Sequence, residues 1–207
     1  KALPARRLAY MNLFAAVNKP DLSIADLESL VKRDVSLTMR VLKSINSAAY
    51  GTGHQITSAH HALVLLGVQQ VRQWASVWAM AGLNSGGTPE VASIALLRAR
   101  SCEIVGNAWL GSDAGSELFL LGMCSMLGAI VDQPMEQAIA DLHLTPSVRE
   151  ALLGGTNAMR SILDAVIAHE QGDWATSAEI VEVLGLPSSI VSTAYADALR
   201  WTRDVSA

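Results

Sequence analysis

The stretch from Arg33 to Gly51, RDVSLTMRVLKSINSAAYG, constrains this chain more than any other, because it carries both ends of one helix. Asp34 is a capping residue: its carboxylate can accept a backbone N–H at the helix N-terminus, where the dipole favours negative charge. Leu37, Val41, Ile45 and Ala48 recur at helical spacing and give one apolar face. Gly51 is the residue type that takes a left-handed conformation just past a helix end. Asn46 and Ser47 propagate helices poorly, because their side chains compete for nearby backbone groups. They are expected to tie the exit turn together locally, with Leu37 and Ile45 buried.

The same three-to-four spacing runs through the rest of the chain, rich in Ala, Leu and Met, and no β-branched run alternates strictly. An all-α fold follows. With 51% apolar and only 16% charged residues, the helices must pack closely. The expected order is a first helix from Pro4 to Val17, broken by Asn18-Lys19-Pro20-Asp21, then a second from Ile24 to Lys32 capped by Ser23. After the Asp34 helix, Thr57 or Ser58 caps a fourth from Ala59 to Leu66, ended by Gly67. Val68 to Leu83 makes a fifth, with Val71, Ala75, Trp78 and Gly82 on one stripe beside Trp74.

Residues 84–89, Asn-Ser-Gly-Gly-Thr-Pro, read as a flexible loop dividing a five-helix N-terminal part, 1–83, from a longer helical part, 90–207. That second part is expected to run Glu90 to Leu110, turn over Gly111 to Gly115, and continue as an apolar core helix ending near Val131. Shorter helices follow over Met135 to Asp141, Pro146 to Leu153, Asn157 to Glu170, Ser177 to Leu184 and Pro187 to Arg203. One domain over 1–207 is expected. Since Lys1 stands where an initiating Met would, it reads as a piece of a longer protein.

Charge and cysteines narrow the function. The net charge of −4 hides a basic N-terminus: residues 1–43 carry eight Lys/Arg against four Asp/Glu. That density, with only Tyr10 and Phe14 close by, falls short of a nucleic-acid stripe and reads as a solvated face or a contact for an acidic partner. Cys102 and Cys124 sit in apolar helical patterns without a CxxC partner, which predicts buried, reduced thiols in a cytoplasmic protein. The apolar uncharged run from Leu118 to Val131 is 14 residues, too short to span a bilayer.

The Arg33–Gly51 sequence, followed by ITSAHHALVLLGVQQVRQW, resembles the HDOD family, bacterial signalling domains related to the metal-dependent HD phosphohydrolases. Asp34, Leu37, Asn46, Ser47, Tyr50, Gly51 and Gly67 carry the likeness. Val35 departs from the family's usual proline. The stretches SELFLLGMCSMLGAIVDQPMEQAIADLHLTPSVREALLGG and ILDAVIAHEQGDW look like the HDOD region that follows an EAL domain in two-domain proteins, and EAL domains hydrolyse or sense cyclic di-GMP. An HD-like helical bundle is the implied fold. The resemblance also says where the enzymes' metal ligands would fall: a His near Arg100, in RARSCEIVG, and a His-Asp pair at Ser125-Met126. Hydroxyl and thioether do not replace imidazole and carboxylate around a hard cation, and a guanidinium repels one.

The five histidines do not rebuild such a site. His60 and His61 are adjacent and point about 100° apart on a helix, His54 lies in a turn, and His143 and His169 are isolated. Asp132 has no His at matching spacing, Glu179 and Glu182 read as a solvated pair, and Cys124 has no base beside it. Of the tryptophans, Trp74 and Trp78 read as core, with Trp109, Trp174 and Trp201 scattered. The expectation is a non-catalytic signalling or scaffolding module without cofactor, metal, nucleic acid or membrane, binding an EAL domain, another protein or a second copy. Two alternatives stand beside it: a phosphohydrolase with a rebuilt metal site, and a sensor holding a nucleotide near Arg100 and Ser125.

Overall fold

The computed structural model describes residues 5–33, 59–84 and 87–206. The Asp34 helix, with Leu37, Ile45, Asn46, Ser47, Tyr50 and Gly51, lies outside the described residues, as do His54, Thr57 and Ser58. Among the described residues every regular element is a helix: α1 (Ala5–Val17), α2 (Ile24–Arg33), α3 (Ala59–Leu83), α4 (Pro89–Leu110), α5 (Ser112–Cys124), α6 (Leu127–Val131), α7 (Met135–Ala138), α8 (Pro146–Leu152), α9 (Ala158–Glu170), α10 (Trp174–Val183) and α11 (Ile190–Ser206). The all-α expectation holds. The helices form two compact units, divided between Leu83 and Asn84.

In the first unit, α1 and α2 pack on α3. The Asn18 amide closes α1 by donating to the Phe14 carbonyl at 2.8 Å and to Ser76 Oγ at 2.9 Å. At α2 the expected cap is present: Asp26 N–H donates to Ser23 Oγ, and Ser23 N–H to Asp26 Oδ2 at 3.1 Å. Arg7 Nε donates to the Leu83 carbonyl at 2.8 Å, placing a cation where the α3 dipole ends negative. Met11, Phe14, Leu27, Leu63, Val71, Trp74 and Trp78 fill the core, with the two indoles 6.1 Å apart. Gly67 interrupts α3 at φ 77°, ψ 160°, a region that side chains avoid, so the two expected helices meet at a break there.

The second unit is built on an α4–α5 hairpin, with α11 and α9 also packed on α4. Gly111 alone, at φ 88°, makes the hairpin turn, and Ser112 to Gly115 are already helical. The expected five-residue turn is therefore too long. Gly115 is there for closeness: a Cβ would stand 2.0 Å from Asn107 Oδ1 and 3.0 Å from the Glu103 carbonyl. Gly122 repeats the device one level on, where a Cβ would meet the Arg98 carbonyl carbon and oxygen at 2.6 Å. Two backbones this close bury almost everything between them, including Ala99, Cys102, Leu118, Leu121 and Cys124.

The expected core helix to Val131 is instead two helices, α5 and α6, parted at Ser125-Met126. Ser125 Oγ donates to the Gly122 carbonyl at 2.7 Å, competing with the helix's own ladder. The stretch Ser112–Val131 is apolar and long enough to cross a membrane by composition, and just over half of it is buried in the unit. Further on, α9 and α10 are capped by Asn157 and Asp173, which accept from Arg160 N–H at 2.9 Å and Thr176 N–H at 3.1 Å. The Asp173 cap starts α10 at Trp174, three residues before the expected Ser177. The start of α11 falls at Ile190 rather than Pro187.

Candidate functional site

The break at Ser125-Met126 is where the sequence resemblance leads one to expect the HD enzymes' metal-binding pair. A cation does stand there, but it is Arg98, not Arg100. Arg98 Nη1 donates to Ser125 Oγ at 3.3 Å and lies 3.2 Å from Met126 Sδ, while its Nε donates to Glu170 Oε2 at 2.8 Å. Both members of the pair are mostly out of water, with side chains 15% and 12% exposed. One guanidinium thus joins α4, the α5–α6 junction and the last residue of α9.

Arg100 is a correction to the expected arrangement. Two residues along a helix turn the side chain by about 200°, so Arg100 leaves the opposite side of α4. It donates to Glu103 Oε2 at 2.9 Å and Asp197 Oδ2 at 3.3 Å, and its guanidinium carbon lies 5.8 Å from the Trp201 ring centre. Trp201 in turn meets Phe119 edge-on. The structure therefore brings Ser125 and Met126 together and leaves Arg100 elsewhere. Sequence reading missed Arg98 and Glu170. The available signal was the RAR triplet with its two arginines on opposite sides of one helix, and a Glu that ends a helix whose Ile162, Leu163, Ala165, Val166 and Ala168 are buried.

Electrostatically the Arg98 site is a closed circuit with one gap. Glu170 gives one oxygen to Arg98, while Oε1 is buried without a partner. Burial consequently raises the Glu170 pKa, with the Arg98 charge and hydrogen bond opposing it. The field reaches neighbours: the Cys102 thiol is pushed far up, by burial first and by Glu170 second, and Tyr195 is raised in the same order. Cys124 is pushed up to about 12 by burial. Neither thiol is a nucleophile near neutral pH.

The residues at this junction do not fit a divalent metal. Serine hydroxyl and thioether are poor ligands for a hard ion, the nearby carboxylate is engaged by Arg98, and the guanidinium occupies the same space. Among the described residues no three His, Cys, Asp or Glu side chains cluster as a metal would require. His60 is paired with Glu28 at 2.7 Å, His143 is exposed, and Asp132 serves as a left-handed cap of α6 at φ 57°. Glu179 and Glu182 are exposed on α10.

The HDOD domain family matches residues 3–149. The chain is 28% identical over 196 residues to the cyclic di-GMP phosphodiesterase CdgJ of Vibrio cholerae, covering 95% of this chain and 45% of that protein. It is 26% identical over 200 residues to the uncharacterized protein YuxH of Bacillus subtilis, covering 95% of this chain and 48% of that one. The chain thus spans about half the length of these curated relatives. A crystal structure of a signal transduction protein from Marinobacter aquaeolei shares the fold, with a TM-score of 0.52 at 19% identity over 100% of this chain and 58% of the other.

Proposed function

The chain belongs to the HDOD family of signalling domains, and from that premise we propose that it works without catalysis, as a docking module in cyclic di-GMP-related signalling. One observation carries the reading: at the α5–α6 junction an arginine, fixed by Glu170, Ser125 and Met126, stands where a hydrolase of this fold would hold its metal. A guanidinium has no open coordination position and generates no hydroxide from water, so the junction has lost the step that defines the enzymes. What it retains is rigidity, since one cation anchors three elements.

CdgJ is named a cyclic di-GMP phosphodiesterase, and this chain corresponds to under half of it. We take the link to that second messenger from this relative and assign hydrolysis to a neighbouring EAL domain. The partner is then an EAL domain, in the same protein or another, or a second copy of this module. Elemental analysis after dialysis, hydrolysis assays on cyclic dinucleotides with manganese or magnesium, and light scattering with and without an EAL domain test the reading. The expected results are no stoichiometric metal, no turnover and a complex. Metal-dependent turnover would replace it with the phosphohydrolase, and a chain that stays monomeric and binds no EAL domain would end the docking reading.

A further inference from the structure

We propose that the groove between the end of α9, the start of α10 and the start of α11 binds a neutral planar nitrogen heterocycle of the nucleobase or nucleoside class. The groove encloses about 440 Å³ and is lined by His169, Trp174, Ser177, Ser188, Val191 and Ser192. That volume is at the small end for ligand sites and suits one base with its sugar.

Its chemistry is unusual for a surface. Trp174, the first residue of α10, is 68% exposed, and no ring among the described residues stacks on it. Val191 gives a buried apolar floor. Against these stand polar groups with unused capacity. Ser177 is only 2% exposed, yet its hydroxyl makes no hydrogen bond among the described residues, and the same holds for Ser188 and His169. Ser192 donates to the Ser189 carbonyl at 2.9 Å and keeps its lone pairs free. The Ser177 hydroxyl lines the groove without a protein partner, so a ligand donor or acceptor can replace water on it.

The charges decide what enters. No Lys, Arg, Asp or Glu lines the groove. His169 is packed against Tyr195 with ring centres 5.2 Å apart, and burial lowers its pKa, favouring the neutral imidazole. The two carboxylates nearest in sequence are occupied: Asp173 caps Thr176, and Glu170 faces Arg98. An anionic or cationic ligand would lose water here without a counter-charge. The edge of a nucleobase alternates donors and acceptors, matching hydroxyls that do either and an imidazole with one of each. Its face matches the indole.

This inference is independent of the docking reading, because neither Arg98 nor a partner protein enters it. The full chain is titrated with adenosine, guanosine, cytidine and uridine, with their monophosphates, and with glucose and inorganic phosphate, by calorimetry and tryptophan fluorescence. The expected result is saturable binding of at least one nucleoside with quenching of emission, its monophosphate binding no more tightly. Trp174→Ala is expected to weaken binding by roughly tenfold or more, as loss of one stacked base does. Trp174→Phe should keep most of the affinity, and Ser177→Ala should lose several-fold, both at an unchanged melting temperature. No saturation at millimolar nucleoside, preference for glucose or phosphate, or full affinity in Trp174→Ala would each overturn the proposal.

Discussion

Arg98 and Arg100 leave α4 two residues apart and enter neighbourhoods that differ in how completely each charge is enclosed. Arg98 meets one carboxylate, a hydroxyl and a sulfur, and both it and Glu170 are largely dry. Arg100 divides itself between the buried Glu103 and an Asp197 that is 41% exposed, under a Trp201 ring. Asp197 also faces Arg200 at 3.7 Å, so water and a second cation are ready to answer it. An enclosed pair adds little net stability over an apolar one, but halving it strands a charge. An open network tolerates the loss of a member.

The sharpest way to break the comparison is therefore to remove each arginine in turn. Arg98→Ala leaves the Glu170 carboxylate buried with no counter-charge, and should cost about 3–5 kcal/mol in denaturant melts at neutral pH. The double variant Arg98→Met with Glu170→Leu should recover most of that loss, because it leaves no charge behind. A single-variant loss under about 1 kcal/mol would place the pair in water and erase the distinction.

Gly122→Ala comes next and attacks the geometry that presents Arg98. The added methyl would sit 2.6 Å from backbone atoms of Arg98 itself, so α4 and α5 must part. The expected cost is about 1–3 kcal/mol, even though alanine favours the helix intrinsically. A neutral Gly122→Ala would show that the helices are further apart than described.

Arg100→Ala should cost only about 1 kcal/mol. It forfeits the partly exposed pair with Asp197, which keeps Arg200 and solvent, and the contact with Trp201, while the buried Glu103 has a further interaction besides Arg100. A loss matching that of Arg98→Ala would mean that Glu103 depends wholly on this cation.

Much of the fold was legible because its signals are local. Ser23 marks a helix start by its own side chain, and Gly67 marks a break by its place between two apolar patterns. Three features were not legible, each for a non-local reason. The start of α10 depends on Asp173 reaching Thr176, beside a tryptophan that no burial pattern anchors. The parting of α5 from α6 lies inside an unbroken apolar run, where composition says only that the segment is buried. The site needed to know which of two arginines faces Ser125, a matter of about 200° of helix rotation fixed by the Gly122 crossing rather than by spacing. The best-defined motif of all, Asp34 to Gly51, lies outside the described residues.

The smallest effect is a pH slope that reads the Arg98 site directly. In the folded chain the Glu170 carboxyl is held above the ordinary carboxylate value of 4.5, because burial outweighs Arg98. The folded state then binds more protons than the unfolded state between 4.5 and the raised value, and stability from this group falls as pH rises through that window. Its contribution is complete below the unfolded pKa and is gone above the folded one. Among the described residues most carboxylates whose pKa moves go the other way: Asp26 and Asp173 are lowered by their capping hydrogen bonds and favour higher pH. The wild-type curve alone therefore mixes opposite signs, and the informative quantity is its difference from Glu170→Gln. Subtracting the Glu170→Gln stabilities should leave a curve that declines with rising pH by less than about 1.4 kcal/mol per unit, the limit for one proton. The decline should extend to higher pH in Arg98→Ala, where the opposing charge is gone. A difference curve that rises with pH would mean that Arg98 outweighs burial, and that the carboxylate is stabilised by its place rather than strained by it.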